Sequence, residues 1–372
     1  MTALSEMDAP FAESPARARV QHRVQTIRTP ADLDRIESAW DLMAVGRNPV
    51  SGFAYAQAWA AGLGETQRLQ VMTAGDSETL AIAPLVVNRG GPGWLTLLAA
   101  EMYEIMDFVY ADESALFALA RAIVRTGRPL ELKRVSVDGP VVAAMEAAYR
   151  GSGIVRRRPT GGSPWIPLDE SWAEPEMRLE AGRRSDLRRA RRQAEKMGAV
   201  ETAIVAPTRA ELPQFLDEAF QVEAAGWKGA QGTALAADPV RGAFFRRYAE
   251  MACAKGILRI GVLRIGGRPA AAQIAIESGS RFDLLRAGYD ERFARCSPGM
   301  LLTAESIRYA ARRGLQSYEF NGDVEPWTKL WTHRERACCS LRAYPFSPRG
   351  AWASIADSGH AGVRKLRQRF KA

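Results

Sequence analysis

The chain has 372 residues, 47% of them hydrophobic and 25% charged, close to the globular average, so most of it folds and there is length for two domains with separate cores. A formal charge of +9 favours an anionic partner: a nucleotide cofactor, a phospholipid surface or nucleic acid. The cysteines (Cys253, Cys296, Cys338, Cys339) and histidines (His22, His333, His360) have no metal-ligand spacing, and no apolar run reaches the roughly 18 residues of a membrane span, which argues against a metal centre and a transmembrane helix.

Residues 1–20 are rich in Ala, Pro, Glu and Arg, with no apolar period and no signal-peptide core; they read as a disordered leader of a cytoplasmic protein. Val24, Gln25 and Ile27 suggest a first strand, and Thr29-Pro30 opens a helix in which Leu33, Ile36, Trp40 and Met43 recur at helical spacing. After Asn-Pro-Val-Ser-Gly-Phe-Ala-Tyr-Ala-Gln-Ala-Trp at 48–59, two apolar strands at 68–73 and 79–87 flank a Gly75-Asp76 turn, the second kinked at Ala83-Pro84-Leu85. Strands at 94–98 and 130–135, with helices at 113–125 and 140–149, complete a first half in which α and β elements alternate. A linker near Gly161-Gly162 divides the folded chain into one domain over 21–162 and another over 163–347, followed by a basic tail over 348–372.

The second half opens with a short strand at 165–168 and then a basic helix over 178–197, whose Leu187, Ala190 and Ala194 give one thin apolar face. Its arginines, Arg184 and Arg188 among them, bind phosphate oxygens in pairs by their planar forks, or else form a solvated face. A helix at 212–220, the loop Gly226-Trp227-Lys228 and a helix at 239–254 lead to the clearest hairpin, 258–265 and 269–277 across Gly266-Gly267. A strand at 281–289 follows, and then Ser297-Pro298-Gly299-Met300-Leu301-Leu302, an N-cap Ser and a first-turn Pro that start a helix and present its free N–H groups and positive dipole end to a pyrophosphate. A strand at 316–320 ends at Asn321-Gly322, so that Asp323, Glu325 and Lys329 project from a strand end; a last strand lies at 337–344.

The stretch Phe-Asn-Gly-Asp-Val-Glu-Pro-Trp-Thr-Lys-Leu-Trp at 320–331 resembles the signature of the FemABX-like acyltransferases, and more closely the CelD or BioF2-like branch of the GNAT superfamily. The segment at 48–59, the Pro84 kink, the basic helix, Gly226-Trp227-Lys228 and Ser297 to Leu302 resemble further pieces of that branch. The resemblance implies an α/β (α+β) fold of tandem GNAT-like units, each a mixed sheet flanked by helices, with catalysis in the second. It also implies acyl-CoA as co-substrate, held at Ser297, Pro298, Gly299, Met300 and Leu301, and an acceptor channel lined by Trp227, Lys228 and Trp327. The Gln/Arg-x-x-Gly-x-Gly/Ala pyrophosphate motif of small GNAT enzymes is absent.

Acyl transfer to an amine requires a base, donors for the oxyanion and a proton for the departing thiolate. Asp323 is the first candidate base and Glu325 the second; Lys329 stabilises negative charge or grips an acceptor phosphate, and Tyr289 protonates sulfur. Backbone N–H groups of the strand at 281–289 are the oxyanion donors that the superfamily uses. Cys296 before the helix start is a rival nucleophile, with no histidine near it in sequence.

By resemblance the acceptor is an amine-bearing saccharide, as in polysaccharide or cell-envelope synthesis. A sphingoid or other lipid amine is an alternative, as is Fem-like transfer from aminoacyl-tRNA. A nucleic-acid or second-messenger binding protein is the reading from another class; the basic helix has no Phe, Tyr or Trp to stack on bases, which argues against single-strand binding. Leu366 and Phe370, one turn apart among basic residues of the tail, would place the protein peripherally on the inner face of an anionic membrane.

Overall fold

The computed structural model describes residues 22–102, 104–226 and 235–369, with the backbone alone at 236 and 359–369. The strands are β1 (Arg23–Ile27), β2 (Gln67–Leu69), β3 (Val71–Gly75), β4 (Thr79–Ala83), β5 (Leu85–Asn88), β6 (Leu95–Leu97), β7 (Val109–Tyr110), β8 (Leu130–Ser136), β9 (Gly153–Pro167), β10 (Val200–Val205), β11 (Leu258–Ile265), β12 (Arg268–Ser278), β13 (Arg281–Tyr289), β14 (Ser317–Glu319) and β15 (Glu335–Pro345). The α-helices are α1 (Pro30–Leu33), α2 (Glu37–Ala44), α3 (Phe53–Ala60), α4 (Glu113–Arg125), α5 (Pro140–Tyr149), α6 (Ala181–Met197), α7 (Leu212–Ala224), α8 (Pro239–Ala254), α9 (Pro298–Arg312) and α10 (Pro348–Arg369).

Among the described residues the strands form two sheets: β1-β3-β4-β7, and an eleven-stranded sheet in the order β10-β11-β12-β13-β14-β9-β15-β8-β6-β5-β2. The hairpin read at 68–87 serves both. Pro84 has no N–H to give, so the ladder breaks there; β3 and β4 pair through Met72 and Ala83 in the small sheet, and β2 and β5 through Leu69 and Val86 in the large one. The second hairpin closes on Gly266 (φ 57°) and Gly267 (φ 75°), the left-handed pair that a two-residue turn requires.

The large sheet joins the two halves, and no linker interrupts it. Gly161 and Gly162 lie inside β9, which is one strand of 15 residues and not a linker followed by a short strand. β9 pairs with β14 of the second half through Ile166 and with β15 through Val155, and β15 pairs with β8 of the first half through Cys339. The last strand of the chain therefore completes the sheet of the first half. The boundary expected at these glycines, just before the short strand read at 165–168, is absent because they are strand residues that clear space: a Cβ at Gly161 would lie 2.5 Å from the Asp323 carboxylate.

One core runs across both halves. α3 is buried nearly all round, and its Tyr55 and Trp59 meet Phe244 of α8 with ring centres 4.9 and 5.1 Å apart. A second core under α6 and α9 holds Leu187, Ala190 and Ala194 against Phe293, Leu301 and Ile307. The helix read at 30–43 is interrupted by a 3-10 turn at Asp34–Ile36. The basic tail read at 348–372 forms α10, whose first half is docked by Asp357 to Arg342 and to the Tyr344 hydroxyl, with Ala353 buried. The leader, and the side chains of Leu366 and Phe370, lie outside the described residues.

Candidate active site

The site is built where a parallel strand pair opens. β13 and β14 pair only from Arg281 to Asp283 and from Ser317 to Glu319; β13 then runs on to Tyr289 while the chain leaves β14 through Phe320. Beyond that point the facing backbone groups have no ladder partner among the described residues and are open to other donors and acceptors. Asn321 spans the closed end of the wedge, donating from Nδ2 to the Leu284 carbonyl at 3.3 Å. At the same level a register shift leaves Leu285 as a bulge in β13. The first half repeats the device: β6 pairs in parallel with β8 only at Leu95 and Thr96, and the strands then part.

An ionic network forms the floor. Arg281 donates to the buried Asp283 carboxylate at 2.7 Å and approaches Glu319 to 3.3 Å, while Arg336 donates to Glu319 at 2.5 Å. Burial pushes Asp283 up to about 6, with Arg281 opposing the rise.

The turn after β14 is held by the first half. Asn321 (φ 53°) and Gly322 (φ 60°) are left-handed, as the Asn-Gly pair predicts. Asn48 donates to the Asn321 side chain at 3.4 Å; the fully buried Arg134 donates to the Gly322 carbonyl at 2.5 Å and lies 3.8 Å from Asp323. Arg134 sits in a bulge of β8 with φ 49°, a conformation that costs on the order of 1 kcal/mol for a non-glycine residue.

This turn carries the expected catalytic residues outward. Asp323, Glu325 and Lys329 are all exposed; Asp323 pairs with Arg134, Glu325 accepts from Trp327 Nε1 at 2.6 Å, and Lys329 lies in the 3-10 turn Thr328–Leu330. No hydrogen bond or ion pair joins Asp323 to Lys329, and the buried carboxylates of the site are Asp283 and Glu319 in the floor. Trp327 packs edge-on against Phe320 at 5.5 Å.

The start of α9 stands beside the end of β13. Ser297 is left-handed (φ 45°) and its side chain makes no cap bond, contrary to expectation, because the 3-10 turn Glu291–Cys296 runs directly into the helix. Met300 and Leu301 both donate to the Ser297 carbonyl, at 3.0 and 3.2 Å, and Pro298 has no N–H. That leaves the Gly299 N–H without a partner among the described residues. A Cβ on Gly299 would meet only the Tyr289 ring, at 3.5 Å. Burial, and then Glu291, push the Tyr289 phenol up, so it keeps its proton at neutral pH. Burial also raises the Cys296 thiol, the opposite of what a nucleophile requires, and its sulfur faces Met197.

Arg184 and Arg188 are not at this helix start. α6 runs antiparallel to α9, with Met197 against Cys296 and Arg191 paired to Glu305 at 3.3 Å, so they lie toward the far end of α9. Trp227 and Lys228 lie outside the described residues.

Sequence reasoning missed four polar residues that meet between the halves. Glu104 follows β6 and forms an ion pair with Arg286 of β13 at 3.5 Å; the Tyr55 and Tyr248 phenols are close enough to feel Glu104. Arg286, a lone charge between Leu285 and Ala287, was the available signal.

Asp107, on the same loop as Glu104, was missed too. Burial pushes its carboxyl up to about 7. The folded state thus favours the protonated form, and wild-type stability is lost as pH rises from about 4 to about 7. Asp107→Asn should remove that loss, gaining at most about 4 kcal/mol at pH 8 and nothing at pH 4. Parallel melting curves for the two proteins across that range would contradict this.

Residues 181–329 match the acetyltransferase (GNAT) domain family. No curated protein sequence matches the chain. The structure is similar to the C-terminal DUF2156 domain assigned to a lysylphosphatidylglycerol synthetase from Agrobacterium fabrum, with TM-score 0.56 and 12% identity over 89% of this chain and 96% of that one. It is similar also to FemX (TM-score 0.54, 13% identity, 87% of this chain and 97% of that one) and to L-PGS from Bacillus licheniformis (TM-score 0.51, 12% identity, 85% and 91%). At such identities the likeness establishes the fold: α/β, two GNAT-like units with mixed sheets and flanking helices. The chain carries a GNAT-type acyltransferase domain, and the wedge between β13 and β14 lies within it.

Proposed function

We propose that this acyltransferase domain uses acyl-CoA to acylate an amine, and that the acceptor is an amino sugar of polysaccharide or cell-envelope synthesis, as in the CelD or BioF2-like group. The observation that carries the donor assignment is the open wedge together with the unpartnered Gly299 N–H at the start of α9. The pantetheine amides pair with the open edge of β13, and the pyrophosphate meets Gly299 and the positive end of the helix. Asp323 takes the amine proton through water, backbone donors of β13 hold the oxyanion, and the thiolate leaves as the C–S bond breaks and takes its proton from water. Tyr289, the donor expected from the sequence, does not give that proton: its ring stands against Gly299 at the pyrophosphate end, about 13 Å along β13 from the Leu285 bulge. Lys329 meets a phosphate or developing charge on the acceptor.

A lipid amine or an aminoacyl donor is the second reading, favoured by the name of one structural neighbour, a lysylphosphatidylglycerol synthetase. Gly299→Trp tests the donor site. The position has room for a Cβ and no strained φ, so the fold should persist while the KM for acyl-CoA rises about tenfold or more. An unchanged KM would move the donor elsewhere.

The surface we propose for peripheral docking on an anionic membrane is one end of the large sheet. There Phe346, Trp352 and Ile355 are exposed, and burial followed by the charges of Arg349, Arg28 and Arg68 lowers the Arg128 pKa. Among the described residues no helix is long and apolar enough to cross a membrane. Binding to phosphatidylglycerol vesicles should fall as salt rises, since screening acts over roughly 10 Å at 0.1 M. Equal binding to neutral vesicles would reject this surface.

A further inference from the structure

We propose that the polar cluster of Tyr55, Glu104, Tyr248 and Arg286 is the acceptor subsite, and that it selects an amine bearing neighbouring hydroxyl groups over a simple alkyl amine. The proposal rests on the acyltransferase reading above and specifies its acceptor. Each half contributes: Tyr55 from α3 and Glu104 from the loop after β6, Tyr248 from α8 and Arg286 from β13. Arg286 immediately follows the bulge at Leu285, where β13 and β14 have already parted, so its main chain borders the wedge while its side chain points to the α7 and α8 face. A group bound there would approach the reacting carbonyl from the side opposite α9.

The two phenols carry the argument. Tyr55 is 1% exposed and Tyr248 2% exposed, with ring centres 5.0 Å apart, and neither hydroxyl has a hydrogen-bond partner among the described residues. An unmet buried hydroxyl costs on the order of 1–3 kcal/mol, and a protein core has no reason to keep two where phenylalanine would pack as well. Burial raises both phenols well above their usual pKa, so both stay protonated and act as neutral donors or acceptors toward hydroxyl groups. Glu104 provides an anion for an arriving ammonium. Arg286 donates to Glu104, lies 4.6 Å over the Phe245 ring and is the most exposed member, which places the entrance at its side. A small cavity of about 10 Å³, lined by Arg286, Glu223 and Gly288, holds room for about one water beside it.

The test compares glucosamine with octylamine as acceptors, at saturating acetyl-CoA, for the wild type, Tyr55→Phe, Tyr248→Phe and the double variant. Donor binding is measured separately by calorimetry. We expect the wild type to favour glucosamine, and the double variant to lose roughly 10- to 100-fold in kcat/KM for glucosamine, with octylamine changed less than about twofold. The Kd for acetyl-CoA and the melting temperature should not fall, because removing an unpaired buried hydroxyl is neutral or stabilising. Equal losses for both amines, no loss for either, or wild-type acylation of octylamine as readily as glucosamine overturns the subsite while leaving the acyltransferase reading in place. A wild type that neither binds acetyl-CoA nor acylates either amine overturns both.

Discussion

Asp323→Asn and Lys329→Ala are each expected to lower kcat by on the order of 10²-fold, the range for a general base or a charge-stabilising group. Lys329→Ala should melt with the wild type, because its side chain is exposed and exchange of a solvent-facing group changes stability little. Asp323→Asn keeps the shape of the side chain but removes its negative charge together with its basicity. It should therefore melt somewhat lower, with Arg134 losing its charge partner, and its kcat is compared at a temperature where both proteins are folded. The side chains do not touch each other, so a shared role would appear only through the substrate, and the double variant should then fall short of the product of the single losses. Wild-type turnover in both variants would remove the stretch 320–331 from the chemistry. Glu104 would then be the carboxylate to test.

Arg134→Met should unfold the protein at lower temperature, with a loss of roughly 1.5–3 kcal/mol, the usual worth of hydrogen bonds from a charged donor, since Asp323, the charge left behind, is exposed. The guanidinium is wholly buried and holds the Gly322 carbonyl and Asp323 from across the junction of the two units. Methionine fills much of the volume, so the loss reports the hydrogen bonds more than a cavity. Arg134→Gly relieves the left-handed backbone at the same position and yet should also melt below the wild type, since the latch lost in either variant matters more than the strain of about 1 kcal/mol. A methionine variant that melts within a degree or two of the wild type would show that the turn holds itself.

Local patterns were legible wherever one physical signal dominated. The helices at 113–125 and 140–149 and the strand at 281–289 were read with the bounds that the structure shows, because caps, prolines and apolar periods agreed there. Asn321 and Gly322 take the left-handed conformations that their side chains allow. The expected parts of the site lie scattered around the wedge. Asp323 and Lys329 follow it on the surface, Tyr289 ends one wall, and Gly299 stands at the helix start. What sequence spacing could not reveal was pairing at long range. That Arg134 reaches Gly322, or Glu104 reaches Arg286, depends on β15 returning to complete the first unit's sheet, and nothing local to 335–345 announces it. The glycines at 161 and 162 misled for the same reason: they clear space for Asp323 and Glu335, residues far along the chain.

The central claim is that the donor occupies the second unit's wedge and not its counterpart in the first. Both units contain a parallel pair that opens, β13 with β14 and β6 with β8, so fold alone does not decide between them. A crystal structure with a non-hydrolysable acyl-CoA analogue distinguishes them directly. The account predicts the pantetheine along β13 beyond Leu284, the thioester carbon near the Leu285 bulge and the pyrophosphate at Gly299. Density in the first unit's wedge, between the loop bearing Asp107 and β8, would contradict it.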